Sequence, residues 1–294
     1  MFEKKSSVIW LCLTLCLLMS GCKDRMELDE GNAVYYWRTD LRLDSTERAF
    51  LKAFHIKKVY CRYFDVVMDE NGEPMPNATI VFNDTLPADI EIIPTVYITI
   101  DCLQKPHEGL AAKLVKRILQ MNETNDISGV REIQIDHDYT ARNMKVYYDF
   151  LEEVGERWKV EGGGRILSTT IRLHQLSMEA PPVDYGALMI YNTGDPQKFM
   201  ERNPILDQED VAPYLRYLDD YPLPLAAAYP VFSWLRIISG VEIEHTVEAS
   251  EILQVKHMVE QERKDLSRSI ITYHLDKENI NRYKPETYEE IYHH

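Results

Sequence analysis

The chain has 294 residues, 45% hydrophobic and 28% charged, with a formal net charge of −15 at pH 7. The apolar fraction is that of an ordinary globular domain rather than a disordered chain. The acidic balance argues against nucleic acid as a partner, because phosphate binding rests on clustered Lys and Arg.

Lys4 and Lys5 precede an apolar run from Val8 to Met19, short for a bilayer span and ended by Ser20 and Gly21. This is the pattern of a signal peptide. Met19-Ser20-Gly21-Cys22 resembles the lipobox of bacterial lipoproteins. The resemblance implies that residues 1–21 are removed and that Cys22 carries a lipid. The expected protein is an exported lipoprotein of the cell envelope, held to the outer membrane or cell surface by Cys22 alone, since no second long apolar segment follows. Residues 22–32 are polar and read as the lipidated cysteine and a flexible tether, with the folded domain over 33–294. Of the five cysteines, Cys12 and Cys16 fall in the signal, and Cys61 and Cys102 are expected to be unpaired thiols.

The first strand signal is Val34 to Trp37, followed by Arg38. Asp44-Ser45-Thr46-Glu47 then supplies a helix start, with Phe50, Leu51 and Phe54 at helical spacing. Val59 to Phe64 is the second strand and holds Arg62, closed by Asp65. The Pro- and Gly-rich stretch from Asp69 to Asn77 predicts a loop forming a small hairpin with Thr79 to Phe82. Ile92 to Ile100 is the third strand, and Leu110, Leu114, Ile118 and Leu119 trace an amphipathic helix.

The fourth strand, Val130 to Ile135, delivers Asp136 and Asp138. Residues two apart in a strand share a face, so these two carboxylates crowd together while His137 points away. Either they form a site at the C-terminal end of a parallel strand, or they belong to a solvated turn with an Asp capping the next helix. A helix follows, carrying Tyr147, Phe150, Leu151, Val154 and Trp158 and stopped by Gly162-Gly163-Gly164. The triple glycine follows a helix rather than a strand, so it reads as a turn and not as a phosphate loop.

Strand five, Ile166 to Ile171, delivers Arg172, His174 and Gln175; strand six, Tyr185 to Tyr191, delivers Asn192. Helices are expected over Asp207–Leu218, Val247–Arg263 and Pro285–Tyr292. Strand seven is Leu225 to Tyr229, with Phe232 and Trp234 beyond it, and strand eight is Ser269 to Tyr273, ending in His274 and Asp276. Eight strands alternating with helices predict an α/β fold, a single-domain (β/α)8 TIM barrel. The other arrangement of such units, a doubly wound open sheet, lacks support because no G-x-G-x-x-G follows the first strand.

In a barrel the strand ends converge on one rim. Trp37, Arg62, Asp65, Asp136, Asp138, Arg172, Gln175, Tyr191, Asn192, Trp234 and His274 meet there. Aromatic faces with carboxylates, guanidinium and amides suit a carbohydrate. No Cys/His spacing suggests zinc, and the first strand lacks the H-x-H pair of metal-dependent hydrolase barrels, so neither metal nor cofactor is expected.

I-Q-I-D-H-D-Y-T, L-S-T-T-I-R-L-H-Q, P-P-V-D-Y-G-A-L-M-I-Y-N and I-I-T-Y-H-L-D, at strands four, five, six and eight, resemble a family of uncharacterised exported (β/α)8-barrel lipoproteins of Bacteroides-type bacteria. A more distant likeness is to the chitinase-like family 18 glycosidases, whose fourth strand ends D-x-x-D-x-D-x-E and whose sixth carries M-x-Y-D. Asp136 and Asp138 match the last two aspartates, and Met189-Ile190-Tyr191-Asn192 matches the second motif with Asn for Asp. Ile133 stands at the first Asp and Thr140 at the catalytic Glu. Two functions follow from the likeness. In one, the protein is a glycoside hydrolase in which Asp136 or Asp138 serves as acid, its pKa raised by its like-charged neighbour. In the other, the acid is lost and the barrel is a non-catalytic glycan-binding lipoprotein.

Overall fold

The computed structural model describes residues 31–164, 166–195, 202–238 and 241–293. The signal, Cys22 and most of the tether therefore lie outside the described residues. Eight strands form the barrel: β1 (Gly31–Tyr36), β2 (Ile56–Met68), β3 (Glu91–Ile98), β4 (Glu132–Asp136), β5 (Ile166–Arg172), β6 (Tyr185–Met189), β7 (Leu225–Pro230) and β8 (Ser269–Tyr273). Each runs parallel to its neighbours, and β1 pairs with both β2 and β8, which closes the sheet. The chain is thus a (β/α)8 barrel, with β1 opening two residues ahead of Ala33.

The helices are α1 (Ser45–Ala53), α2 (Leu110–Thr124), α3 (Met144–Glu161), α4 (Gln208–Leu215), α5 (Ala249–Glu262), α6 (Lys277–Ile280) and α7 (Pro285–Ile291). Asp44 caps α1 in a reciprocal box with Glu47, as the sequence spacing predicts. The glycine turn ends α3: Gly163 takes φ +64°, and a Cβ on Gly164 would lie 1.9 Å from the Trp158 indole nitrogen. Only glycine lets the chain pass that buried ring. A similar close approach occurs at Gly186 in β6, where a Cβ would meet Ile171 Cγ1 at 2.6 Å.

The expected hairpin forms elsewhere. β2 runs on to Met68 and pairs antiparallel with Pro74–Asn77, while Val81–Phe82 pairs parallel with Asp40–Leu41. The turn is set by Asp69, whose Oδ1 accepts from the backbone N–H groups of Asn71 and Glu73, both at 2.8 Å, and by Gly72 at φ +76°. A second hairpin, Trp234–Ile238 with Val241–His245, follows β7.

The barrel interior is polar in tiers. β4 turns Glu132, Gln134 and Asp136 inward, one residue for each level. At the floor, Glu132 accepts from Ser168 Oγ at 2.7 Å and from the Tyr185 hydroxyl, with Lys58 Nζ at 3.4 Å. Tyr185 in turn meets Tyr60 at 2.6 Å. Gln134 accepts from the Tyr35 hydroxyl at 2.9 Å in the middle tier. Each of these buried polar groups has a partner, as low-dielectric burial requires. Cys61 and Cys102 are buried and unpaired, in line with the sequence reading. No helix among the described residues is long and apolar enough to cross a membrane.

Candidate functional site

The top tier is the end of β4 and its neighbours. Asp136 closes the strand, its side chain 4% exposed, and Asp138 stands two residues beyond, 37% exposed. Arg172, the last residue of β5, reaches both: Nε donates to Asp138 Oδ1 at 2.5 Å and Nη2 to Asp136 Oδ1 at 3.2 Å. Thr170, two residues earlier on the same face, donates to Asp136 Oδ1 at 2.6 Å. Arg172 Nη1 is buried without a hydrogen-bond partner.

The acid pair is therefore an acid–guanidinium–acid bridge. Burial raises the pKa of Asp136, opposed by Arg172 and Thr170, and the charge of Asp138 adds a smaller upward push. The sequence expectation of a shift driven by like charge is thus replaced by one driven mainly by desolvation. Burial works to lower the pKa of Arg172, but Asp136 and Asp138 outweigh it and the net shift is upward.

His137 points away from the pair, as strand alternation requires. Its Nδ1 donates to Ile98 O at 2.8 Å, and its Nε2 accepts from Asn143 Nδ2 at 3.0 Å. A carbonyl can only accept and an amide NH2 can only donate, which assigns the tautomer. Asn143 Oδ1 in turn accepts from the backbone N–H of Thr140 at 2.8 Å and from its hydroxyl at 3.2 Å. The loop bearing Asp138 and Thr140 is thereby tied to the ends of β3 and β4. Thr140 stands where the chitinase-like motif has its acid, and its hydroxyl is engaged in this tie.

Asp138, Thr140, Arg172, His174, Tyr191 and Asn192 line one cavity of about 470 Å³ with Ile100, Met189 and Tyr214. Tyr191 is 5% exposed, and its hydroxyl has no hydrogen-bond partner. Asn192 adopts φ +54°, a left-handed conformation that Asn tolerates better than most residues. Trp37 and Arg62 line a second cavity of about 760 Å³ with Arg38, Arg42 and Glu47. Arg62 forms a two-point ion pair with Asp65, one contact being Nε to Oδ1 at 2.8 Å, and its guanidinium lies 5.5 Å from the Trp37 ring centroid. Tyr273 separates the cavities, its ring 5.7 Å from Trp37 and 4.9 Å from Tyr191.

Five residues expected at the rim line neither cavity: Asp65 and Asp136, held in the ion pairs above, and Gln175, Trp234 and His274. Gln175 is buried, its Oε1 accepting from Arg172 N at 2.7 Å and its Nε2 donating to Tyr139 O at 2.9 Å. It braces the turn after β5 and, being fully buried, presents nothing to a ligand. Trp234 packs beside Phe232, ring centroids 6.4 Å apart, at the base of the second hairpin. His274 is mostly buried, with Nδ1 3.5 Å from Asp276 Oδ2, and burial lowers its pKa.

The sequence places Tyr273 at the rim as the end of strand eight, but it does not single out Tyr97, one residue before the end of β3. Burial raises the Tyr97 phenol, and the fields of Asp138 and Asp136 raise it further. An aromatic residue one before the end of a strand is the available signal, but it marks wall packing as often as a site. Among the described residues, no three His, Cys, Asp or Glu side chains converge to hold a metal ion.

No protein-family model matches the sequence, and no curated protein matches it. Solved structures do. The spore cortex-lytic enzyme SleL of Bacillus cereus superposes with a TM-score of 0.54 at 15% identity over 90% of this chain and 74% of that one. A chitinase from Bacteroides thetaiotaomicron gives 0.56 at 10% identity over 90% and 97% of the two chains. A family 18 N-acetylglucosaminidase from Paenibacillus barengoltzii gives 0.50 at 9% identity over 90% and 99%. At such identities the likeness concerns the fold alone, the (β/α)8 barrel that this chain shares with these structures.

Proposed function

We propose that this protein recognises carbohydrate at the rim of its barrel and holds it without cleaving it. The observation that carries the reading is the state of the acids. A glycosidase needs a carboxylic acid free to protonate the leaving oxygen. Here the acid position is Thr140, whose hydroxyl donates to Asn143, and both nearby aspartates accept from Arg172. What remains suits binding: a cavity with aromatic walls, an unpartnered phenol and a spare guanidinium N–H. The names of the similar structures, chitinases and an N-acetylglucosaminidase, favour amino-sugar glycans as the ligand class. The lipobox-like Met19-Ser20-Gly21-Cys22 supports a lipid-anchored protein of the cell envelope.

The test is a glycan-binding screen on protein starting after Cys22, with product analysis of every hit. Retained ligand without shortened products is the expected result. Shortened products that vanish in Asp136→Asn or Asp138→Asn would replace this reading with a hydrolase, for which the upward shift of Asp136 is the supporting observation.

A further inference from the structure

Taking carbohydrate recognition as given, we infer that the cavity beside Asp138 selects sugars carrying a free, protonated amine over their N-acetylated and anionic counterparts. At the rim Arg62 is matched one-to-one by Asp65, whereas Arg172 is shared between Asp136 and Asp138. Counted as ionised side chains, three carboxylates face two guanidinium groups. The surplus negative charge falls within reach of a ligand at Asp138, because Asp136 is 4% exposed and Asp138 37%.

The rest of the lining does not offset it. Arg172 is the one cation among the described residues that line this cavity. His174 is held neutral near pH 7, since burial and then Arg172 lower its pKa. The walls include Tyr191 and Tyr214, whose ring faces attract a cation and offer an anion nothing. The buried, unpartnered Tyr191 hydroxyl is an independent sign of an absent ligand group. Burial holds this phenol protonated, so its oxygen can accept an ammonium N–H while its own proton goes to a sugar hydroxyl. Arg172 Nη1 supplies a donor for a second sugar oxygen. An acetyl group would remove the cation that Asp138 attracts, and a carboxylate or phosphate would meet that charge directly. The chain's net charge of −15 acts in the same direction at longer range.

The experiment compares binding of a β-1,4-linked glucosamine oligomer with its fully N-acetylated form, of equal length, to protein starting after Cys22. The expected result is affinity at least about tenfold higher for the amine at low salt, shrinking as salt screens the charge. That preference should fall within about twofold in Asp138→Asn and return in Asp138→Glu. Both variants are checked for folding by thermal unfolding. Equal or tighter binding of the acetylated form overturns the inference and leaves carbohydrate recognition standing. A preference that persists in folded Asp138→Asn also overturns it, since the overall acidity of the chain is then the cause. If neither oligomer nor any other glycan binds, the functional reading falls, and the inference with it.

Discussion

Asn143 Nδ2 stands 3.0 Å from His137 Nε2, so a residue at the foot of α3 fixes the ring that anchors the end of β4. Replacing it, Asn143→Ala, leaves a buried imidazole nitrogen and the Thr140 backbone N–H without their partners. A loss of about 1–3 kcal/mol is expected, read as a lower urea midpoint with an unchanged slope.

The same histidine predicts how stability responds to acid. Burial lowers the pKa of His137, so below about pH 6.5 the unfolded chain binds a proton that the folded one refuses. Stability therefore falls as pH drops through that window. His174 and His274 are shifted in the same direction. Urea unfolding at several pH values between 7.5 and 5 should show the decline, made shallower but not removed by His137→Gln.

Arg172 compensates two carboxylates, one of them buried. Arg172→Met should cost about 3–5 kcal/mol, because it strands a buried charge. Adding Asp136→Asn to it should recover part of that loss, so the two changes are expected to be non-additive in a double-mutant cycle. Strict additivity would mean that the bridge is not energetically coupled.

At the barrel floor, Tyr185→Phe removes one donor from Glu132 and the partner of Tyr60. The expected loss is about 1–3 kcal/mol. Burial raises the pKa of Glu132, with Lys58 opposing, so the mutant's deficit should grow as pH rises and the carboxyl ionises. Unfolding at pH 5 and pH 8 would check the sign.

The two tryptophans separate binding from folding. Trp37 packs against Tyr35, Tyr273 and Arg62, so Trp37→Ala should lower both glycan affinity and stability. Trp234 lies outside both rim cavities, and Trp234→Ala should change affinity for a short oligosaccharide less than about threefold, measured by titration calorimetry.

All eight barrel strands were legible in the sequence, because period-2 runs bounded by charges and glycines carry that signal locally. So were the α1 capping box and the glycine turn after α3. What was not legible is who pairs with whom. Asp136 and Asp138 were visible as a pair, but Arg172 lies 36 and 34 positions away from them, and only register across β4 and β5 brings it between. Register is a tertiary quantity that no local pattern fixes. The loss of Gln175 to the backbone of Arg172 and Tyr139 and the gain of Tyr97 have the same origin. The misplaced hairpin has another: β2 continues past the expected end at Asp65 because that residue's charge is met by Arg62 within the strand.

Parallel strands give a barrel two unlike ends. β1 enters at Gly31 on the end opposite the rim and rises six residues, about 20 Å, before Trp37 reaches the cavities. If Cys22 is the anchor proposed above, at most about 30 Å of extended chain joins it to that far end. The membrane would then lie beneath the sealed floor, and the mouth of the barrel would open away from the cell's own bilayer. A protein held this way would offer its mouth to glycans of whichever compartment it faces and its floor to the headgroups below.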